Sequence, residues 1–196
     1  RLRKIASELH QSRSSAAPDF AETIASSIRA LEMPYAVFEV ELQEVSVSAT
    51  GSDSVSFRFS ATGRNAVDVA KCASGGEMSR IMLALKAMMA RYTSMPTMIF
   101  DEIDTGVSGS VADKMGSMIC QMGEYMQVFA ITHLPQVAAK GNAHYVVTKT
   151  MDEATGKAVS GISRLNDADR VTEVARMLSG SVLTDAAIAN AKEFLK

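Results

Sequence analysis

Apolar residues recur along this chain in two rhythms, one of three to four residues and one of two. Leu2, Ile5 and Leu9 fall on one side of a short polar helix over Leu2–Gln11. Three such residues are too short a stripe to establish a coiled coil, and a surface helix explains them equally well. Pro18 opens a second helix, because its missing N–H costs nothing in a first turn. Phe20, Ile24, Ile28 and Leu31 carry that helix's apolar face to Met33, and Pro34 stops it. Ala36–Leu42 alternates apolar and acidic residues and predicts a half-exposed strand, which Val45–Val47 extends or pairs. Gly51–Ser54 reads as a turn and Val55–Ala61 as a second alternating strand, antiparallel to the first.

Beyond Met95 short apolar runs alternate with helical segments. Thr97–Phe100 and Gln127–Thr132 read as buried strands, with a helix over Val111–Met122 between them. Val146–Thr150 and Ala158–Leu165 flank a glycine-containing turn and predict a hairpin. Arg170–Leu178 and Thr184–Leu195 close the chain as helices. The succession predicts an α/β fold with a mostly parallel core sheet, flanking helices and a small antiparallel strand pair.

With 196 residues, 47% of them hydrophobic and 21% charged, the chain can build a real core. No run of about 18 apolar residues predicts a membrane span. Arg1–Gln11 is charged and unlike a secretion signal, and a start without Met predicts a longer parent protein. Cys72 and Cys120 have no Cys or His at metal-ligand spacing and read as buried, reduced thiols of a cytoplasmic protein. A net charge of −2 argues against a wholly basic DNA-binding module. Arg1, Arg3, Lys4 and Arg13 read as solvated helix charges before they read as a DNA-contacting strip.

Three segments carry candidate chemistry. Ser74 and Glu77 form a capping box ahead of a long helix to about Arg91, with Met78, Ile81, Met82, Leu85 and Met89 on its buried face. Capping alone accounts for those two residues. Gly75 and Gly76 add a bare helix start, whose N–H groups and positive dipole suit a phosphate. The run Thr97–Phe100 leads into Asp101 and Glu102, at the strand end where open α/β sheets bind ligands. One carboxylate there can hold Mg²⁺ while the next polarises a water, although solvated acids at a strand end are common. Val128–Thr132 ends at His133; a lone histidine is more often structural, but parallel strands would bring it to the edge of Asp101 and Glu102.

The order of these segments resembles the second half of an ABC-type ATPase, with a signature motif, a Walker B strand and a switch histidine. Asp104 matches the D-loop aspartate. Segments 73–86, 100–109 and 131–138 resemble the RecN family, a branch of the SMC-type ATPases whose head is split in sequence by a long coiled coil. Met33–Leu42 resembles that family just after its returning coil. The resemblance covers nearly the whole chain, is most specific over about residues 70–140, and is weaker in the hairpin after Lys149 and the last helices.

The resemblance implies that residues 1–33 end a coiled-coil arm and residues 34–196 form the C-terminal half of an ATPase head. The parent would be a cytoplasmic, nucleoid-associated enzyme of recombinational double-strand-break repair. Its partners would be the N-terminal half of the same head, a second head and DNA. ATP and Mg²⁺ would be its cofactors. Ser74, Gly75, Gly76, Glu77 and Asp104 would belong to the nucleotide site, Asp101 would order the metal, Glu102 would activate water and His133 would sense the γ-phosphate. No Gly-x-x-x-x-Gly-Lys-Ser/Thr loop occurs in the 196 residues; in Gly156–Ser163, Ile162 stands where the lysine is required. The chain alone is therefore expected to be inactive. Two alternatives remain: the head of another SMC-like ATPase, and a non-catalytic interaction domain on an ABC-like scaffold.

Overall fold

In a computed structural model, which describes residues 1–71, 74–151, 156–180 and 182–196, one helix, α1 (Leu2–Ala30), runs where two were predicted. Pro18 lies inside it. An interior proline costs about 3 kcal/mol, so packing must hold the helix through that position. On its N-terminal side Ala6 is buried, and His10 and Arg13 both bind Asp53. On its C-terminal side Ile24 and Ile28 are fully buried, each contributing about 1.5–3 kcal/mol. Leu2, Ile5 and Leu9 remain exposed.

Contacts divide the chain into two units, residues 1–95 with 105–107, and residues 96–104 with 108–196. In the first, α1 packs on the antiparallel strands β1 (Val37–Ser48) and β2 (Gly51–Ser60), in register from Val37↔Ser60 to Glu44↔Asp53 and shifted before the last pair, Ser48↔Gly51. A short β3 (Val67–Asp68) extends the sheet beside β2. The predicted turn at Gly51–Ser54 belongs instead to β2, because Asp53 turns inward to His10 and Arg13. Gly51 begins the strand at φ 102°, a left-handed conformation that suits glycine. Phe57 stacks on Phe20 at 5.7 Å and meets Phe38 at 5.6 Å. The core adds Met33, Phe59, Ile81, Ala84 and Met88.

Helix α2 (Gly75–Thr93) completes this unit, its buried face turned from the predicted one. Leu83, Ala84, Met88 and Ala90 are buried with Ile81, whereas Met82 and Met89 are exposed. Arg80 donates to Gly76 O at 2.9 Å and to Leu31 O at 3.3 Å, tying α2 to the end of α1. Cys72, expected as a buried thiol, and Ala73, which opens the signature segment, lie outside the described residues.

The second unit contains the parallel pair β4 (Thr97–Asp101) and β5 (Gln127–Ile131), in register from Thr97↔Gln127 to Asp101↔Ile131. Helix α3 (Gly109–Met122) follows β4 and packs on β5. Its buried face is Ala112, Met115, Ile119 and Met122. Cys120 stands about 100° round the helix from Ile119 and is exposed, against the buried thiol expected. A short helix α4 (Pro135–Lys140), absent from the sequence reading, packs on α3. The hairpin β6 (Tyr145–Met151) and β7 (Ala158–Arg164) is antiparallel as predicted. Helices α5 (Asp167–Ser179) and α6 (Asp185–Phe194) share an apolar seam of Val174, Ala175, Ala187 and Ala191. Parallel and antiparallel pairs with flanking helices make this an α/β fold.

Candidate functional site

The start of α2 is open on one side and closed on the other. Ser74 has extended backbone and its Oγ accepts from Glu77 N at 3.2 Å, capping the helix as the Ser-x-x-Glu pattern predicts. Ser74 and Gly75 are exposed, and a Cβ on Gly75 would meet no atom within 4 Å. Glu77 is half-buried in the first turn, where its charge complements the helix dipole. Gly76 has a different reason to be glycine: a Cβ there would lie 2.7 Å from Gly106 O. Ser79 Oγ donates to Gly75 O at 3.0 Å and to Thr105 O at 3.3 Å, holding the same loop. The sequence motif does not reveal this contact, because residues 105–106 are about thirty positions away.

In the second unit the parallel register carries the ends of β4 and β5 to one edge. Asp101 ends β4 and is exposed. Glu102, also exposed, adopts φ 49°, a left-handed conformation costing a non-glycine residue about 1–3 kcal/mol. Its backbone breaks the strand direction immediately after Asp101. Asp104 is fully buried at 0% exposure. Its Oδ2 accepts a short hydrogen bond from Thr132 Oγ1, while Oδ1 has no hydrogen-bond partner and lies 3.6 Å from His133 Nδ1. The His133 side chain is 70% exposed. Thr132 Oγ1 in turn accepts from Leu134 N at 3.0 Å. Asp101, Glu102 and His133 therefore follow the ends of paired parallel strands, and Asp104 lies beneath the histidine. Among the described residues no group of three or more His, Cys, Asp or Glu is arranged to hold a metal.

No protein-family model matches the chain. DNA repair protein RecN of Rickettsia conorii is 40% identical over 98% of this chain and 35% of its own length. RecN of Haemophilus influenzae is 41% identical over 99% of this chain and 35% of its own length, and RecN of Halalkalibacterium halodurans is 39% identical over 91% and 32%. Over nearly its whole length the chain is similar to RecN proteins. It spans about a third of the length of the curated relatives it matches. The Smc head domain with a coiled coil and joint from Pyrococcus yayanosii superposes with a TM-score of 0.64 at 18% identity, over 81% of this chain and 29% of that one. A chain described under ATP-driven dimerization and DNA-stimulated activation of SMC ATPases superposes with a TM-score of 0.54 at 20% identity, over 79% of this chain and 92% of that one. At these identities the likeness is one of fold.

Two polar networks of the chain have no local sign in the sequence. Asp53, its side chain fully buried, accepts from Arg13 at 3.0 Å and pairs with His10 Nδ1 at 2.6 Å. The His10 hydrogen bond, outweighing the opposing effect of burial, holds the Asp53 carboxyl below its ordinary range, with Arg13 assisting. Arg13 also donates to Thr50 O at 2.8 Å, so it is a clasp on the β1–β2 turn and not the solvated helix charge expected. Near α5, Arg170 donates to Ala139 O at 2.7 Å. Burial, with the charge of Arg170, pushes His144 down against the weaker opposing pull of Glu173. No helix among the described residues is long and apolar enough to cross a membrane.

Proposed function

We propose that this chain is the C-terminal part of an ATP-hydrolysing head of a RecN-like protein acting in recombinational repair of DNA double-strand breaks. The observation that carries this reading is the parallel register of β4 and β5, which leads Asp101, Glu102 and His133 off the same sheet edge. RecN relatives that are DNA repair proteins support the biological role, and a cytoplasmic, nucleoid-associated location follows from that role. Residues 1–33 would end the coiled-coil arm and residues 34–196 would be the head's C-terminal half. Its N-terminal half would supply the phosphate-cradling loop, and a second head would close over the nucleotide.

Each residue's chemistry fits that assignment. Ser74, Gly75 and Gly76, with Glu77 supporting the helix start, would present the N-terminus of α2 to the γ-phosphate held by the opposite head. Asp101 offers a hard, exposed oxygen; Mg²⁺ sites commonly take one or two protein carboxylates and complete their shell with phosphate and water. The bound metal would neutralise charge on the polyphosphate. Glu102 would orient and activate the attacking water, and His133 would contact the γ-phosphate. ATP-driven dimerisation of the SMC ATPases named above supports the two-headed arrangement.

The test is Glu102→Gln in the complete protein. The amide keeps the shape and loses the activating carboxylate. ATP binding should persist while turnover falls by about 10²-fold or more. Near-normal turnover would remove Glu102 from the mechanism, and loss of binding as well would mean that the residue is structural.

A further inference from the structure

Asp104 presents a chemical imbalance that the proposed mechanism does not use. Its carboxylate is fully buried, yet only one oxygen is satisfied: Oδ2 by the Thr132 hydroxyl. Oδ1 has no hydrogen-bond partner. Buried polar atoms rarely go unpaired, and each that does calls for a reason. The group beside Oδ1 is His133 Nδ1 at 3.6 Å, just beyond hydrogen-bond length. The ring is 70% exposed and so has room to close that gap. Interactions of this kind are often long until a ligand is present.

Thr132 is the fixed end of the arrangement. Its hydroxyl donates to Asp104 and accepts from Leu134 N, so both of its roles are committed. A hydroxyl with its proton directed at Oδ2 holds the carboxylate in one plane and leaves Oδ1 turned toward the histidine.

We propose that Thr132 and Asp104 are a buried positioning pair that selects the Nδ1–H form of the His133 ring and thereby leaves Nε2 as the nitrogen offered to a ligand. This rests on the reading of His133 as the ligand-facing group. It assigns Asp104 a place behind the histidine instead of against the nucleotide, since a side chain with no exposed surface cannot touch a bound phosphate without moving. Carboxylates behind metal-binding and catalytic histidines fix the tautomer in the same way.

The experiment is nitrogen-15 NMR of the His133 ring in this chain at about pH 8, above the ordinary imidazole range. Wild type should show mainly Nδ1–H, against the preference of free imidazole side chains for Nε2–H. Thr132→Val, close in shape, should shift the ratio toward Nε2–H by about tenfold, the effect of one charge-assisted hydrogen bond. Thr132→Ser should restore the wild-type ratio. Should Thr132→Val fail to fold, Asp104→Asn carries the test, with the same shift expected. A free-histidine mixture in wild type, or an unchanged ratio in the folded variants, would overturn the proposal. The readout does not depend on ATP turnover: an Nδ1–H ring beside a fully active Glu102→Gln enzyme would keep the positioning pair and sink the hydrolysis assignment.

Discussion

Gly76 touches Gly106 backbone to backbone: a Cβ on Gly76 would stand 2.7 Å from Gly106 O, closer than real Cβ atoms come. Gly75, its neighbour, would place a Cβ in open space. The two glycines of one motif thus answer to different physics. One leaves a helix end bare, and the other allows two backbones to meet.

This difference is measurable in stability alone. Gly76→Ala should cost about 1–3 kcal/mol, because backbone on one side and helix on the other must move. Gly75→Ala should fall within about 0.5 kcal/mol of wild type, at an exposed site with no clash. Urea unfolding of both variants checks this; equal effects would mean that the Gly76–Gly106 approach is not tight in solution.

The Asp53 clasp predicts an acid-side signature. Its folded carboxyl is held below its unfolded value of about 3.9. The stabilisation is therefore fully present above that value and is lost as pH falls through the lower, folded one. Asp53→Asn should be less stable than wild type at neutral pH, and the two should converge as pH drops below about 4. Melting temperatures across that range test it, and a constant gap would show that charge on Asp53 plays no part.

His144 should act in a separate window. Burial and Arg170 push its folded value below the unfolded one of about 6.5. Between the two values the unfolded chain binds the extra proton, so stability is present above about 6.5 and declines as pH falls from there toward the folded value. His144→Gln should flatten that part of the curve while leaving the Asp53 window intact. An unaltered slope in the variant would locate the proton elsewhere.

Local chemistry was the legible part of the sequence. The Ser74 cap, the β4 and β5 strands and the β6–β7 hairpin each depend on neighbours a few positions away, and each stands where the pattern placed it, although β5, read as a buried strand, is largely exposed, with Phe129 and Ile131 open to solvent. The errors came from long-range pairing. Pro18 and the polar run before it look like a helix break, until His10 and Arg13 are seen gripping Asp53 some forty positions on. The same grip converts the apparent turn at Gly51–Ser54 into strand. At the candidate site, Asp101, Glu102 and His133 were visible as strand ends, but nothing local in the sequence announces that Asp104 is buried under Thr132. The left-handed backbone of Glu102 was equally hidden, since glutamate has no special preference for that conformation.

The last prediction concerns the 196 residues by themselves: they should bind Mg-ATP no better than marginally and should not turn it over. Affinity in Walker-type sites comes largely from a run of backbone N–H groups and a lysine wrapped around the phosphates. No such loop is found in this sequence. Asp101 and Glu102 would meet a polyphosphate as two further negative charges, and Mg²⁺ would relieve that repulsion without replacing the missing donors. The open end of α2 at Ser74 and Gly75 offers a few hydrogen bonds, each contributing about 1 kcal/mol net. Even a millimolar contact needs roughly 4 kcal/mol, so the helix end alone reaches that threshold at best. Calorimetry with Mg-ATP and a phosphate-release assay measure both quantities. Adding the N-terminal half of the head should bring binding and turnover together. Micromolar binding by the chain alone would place a nucleotide site within these residues that does not depend on a Walker loop.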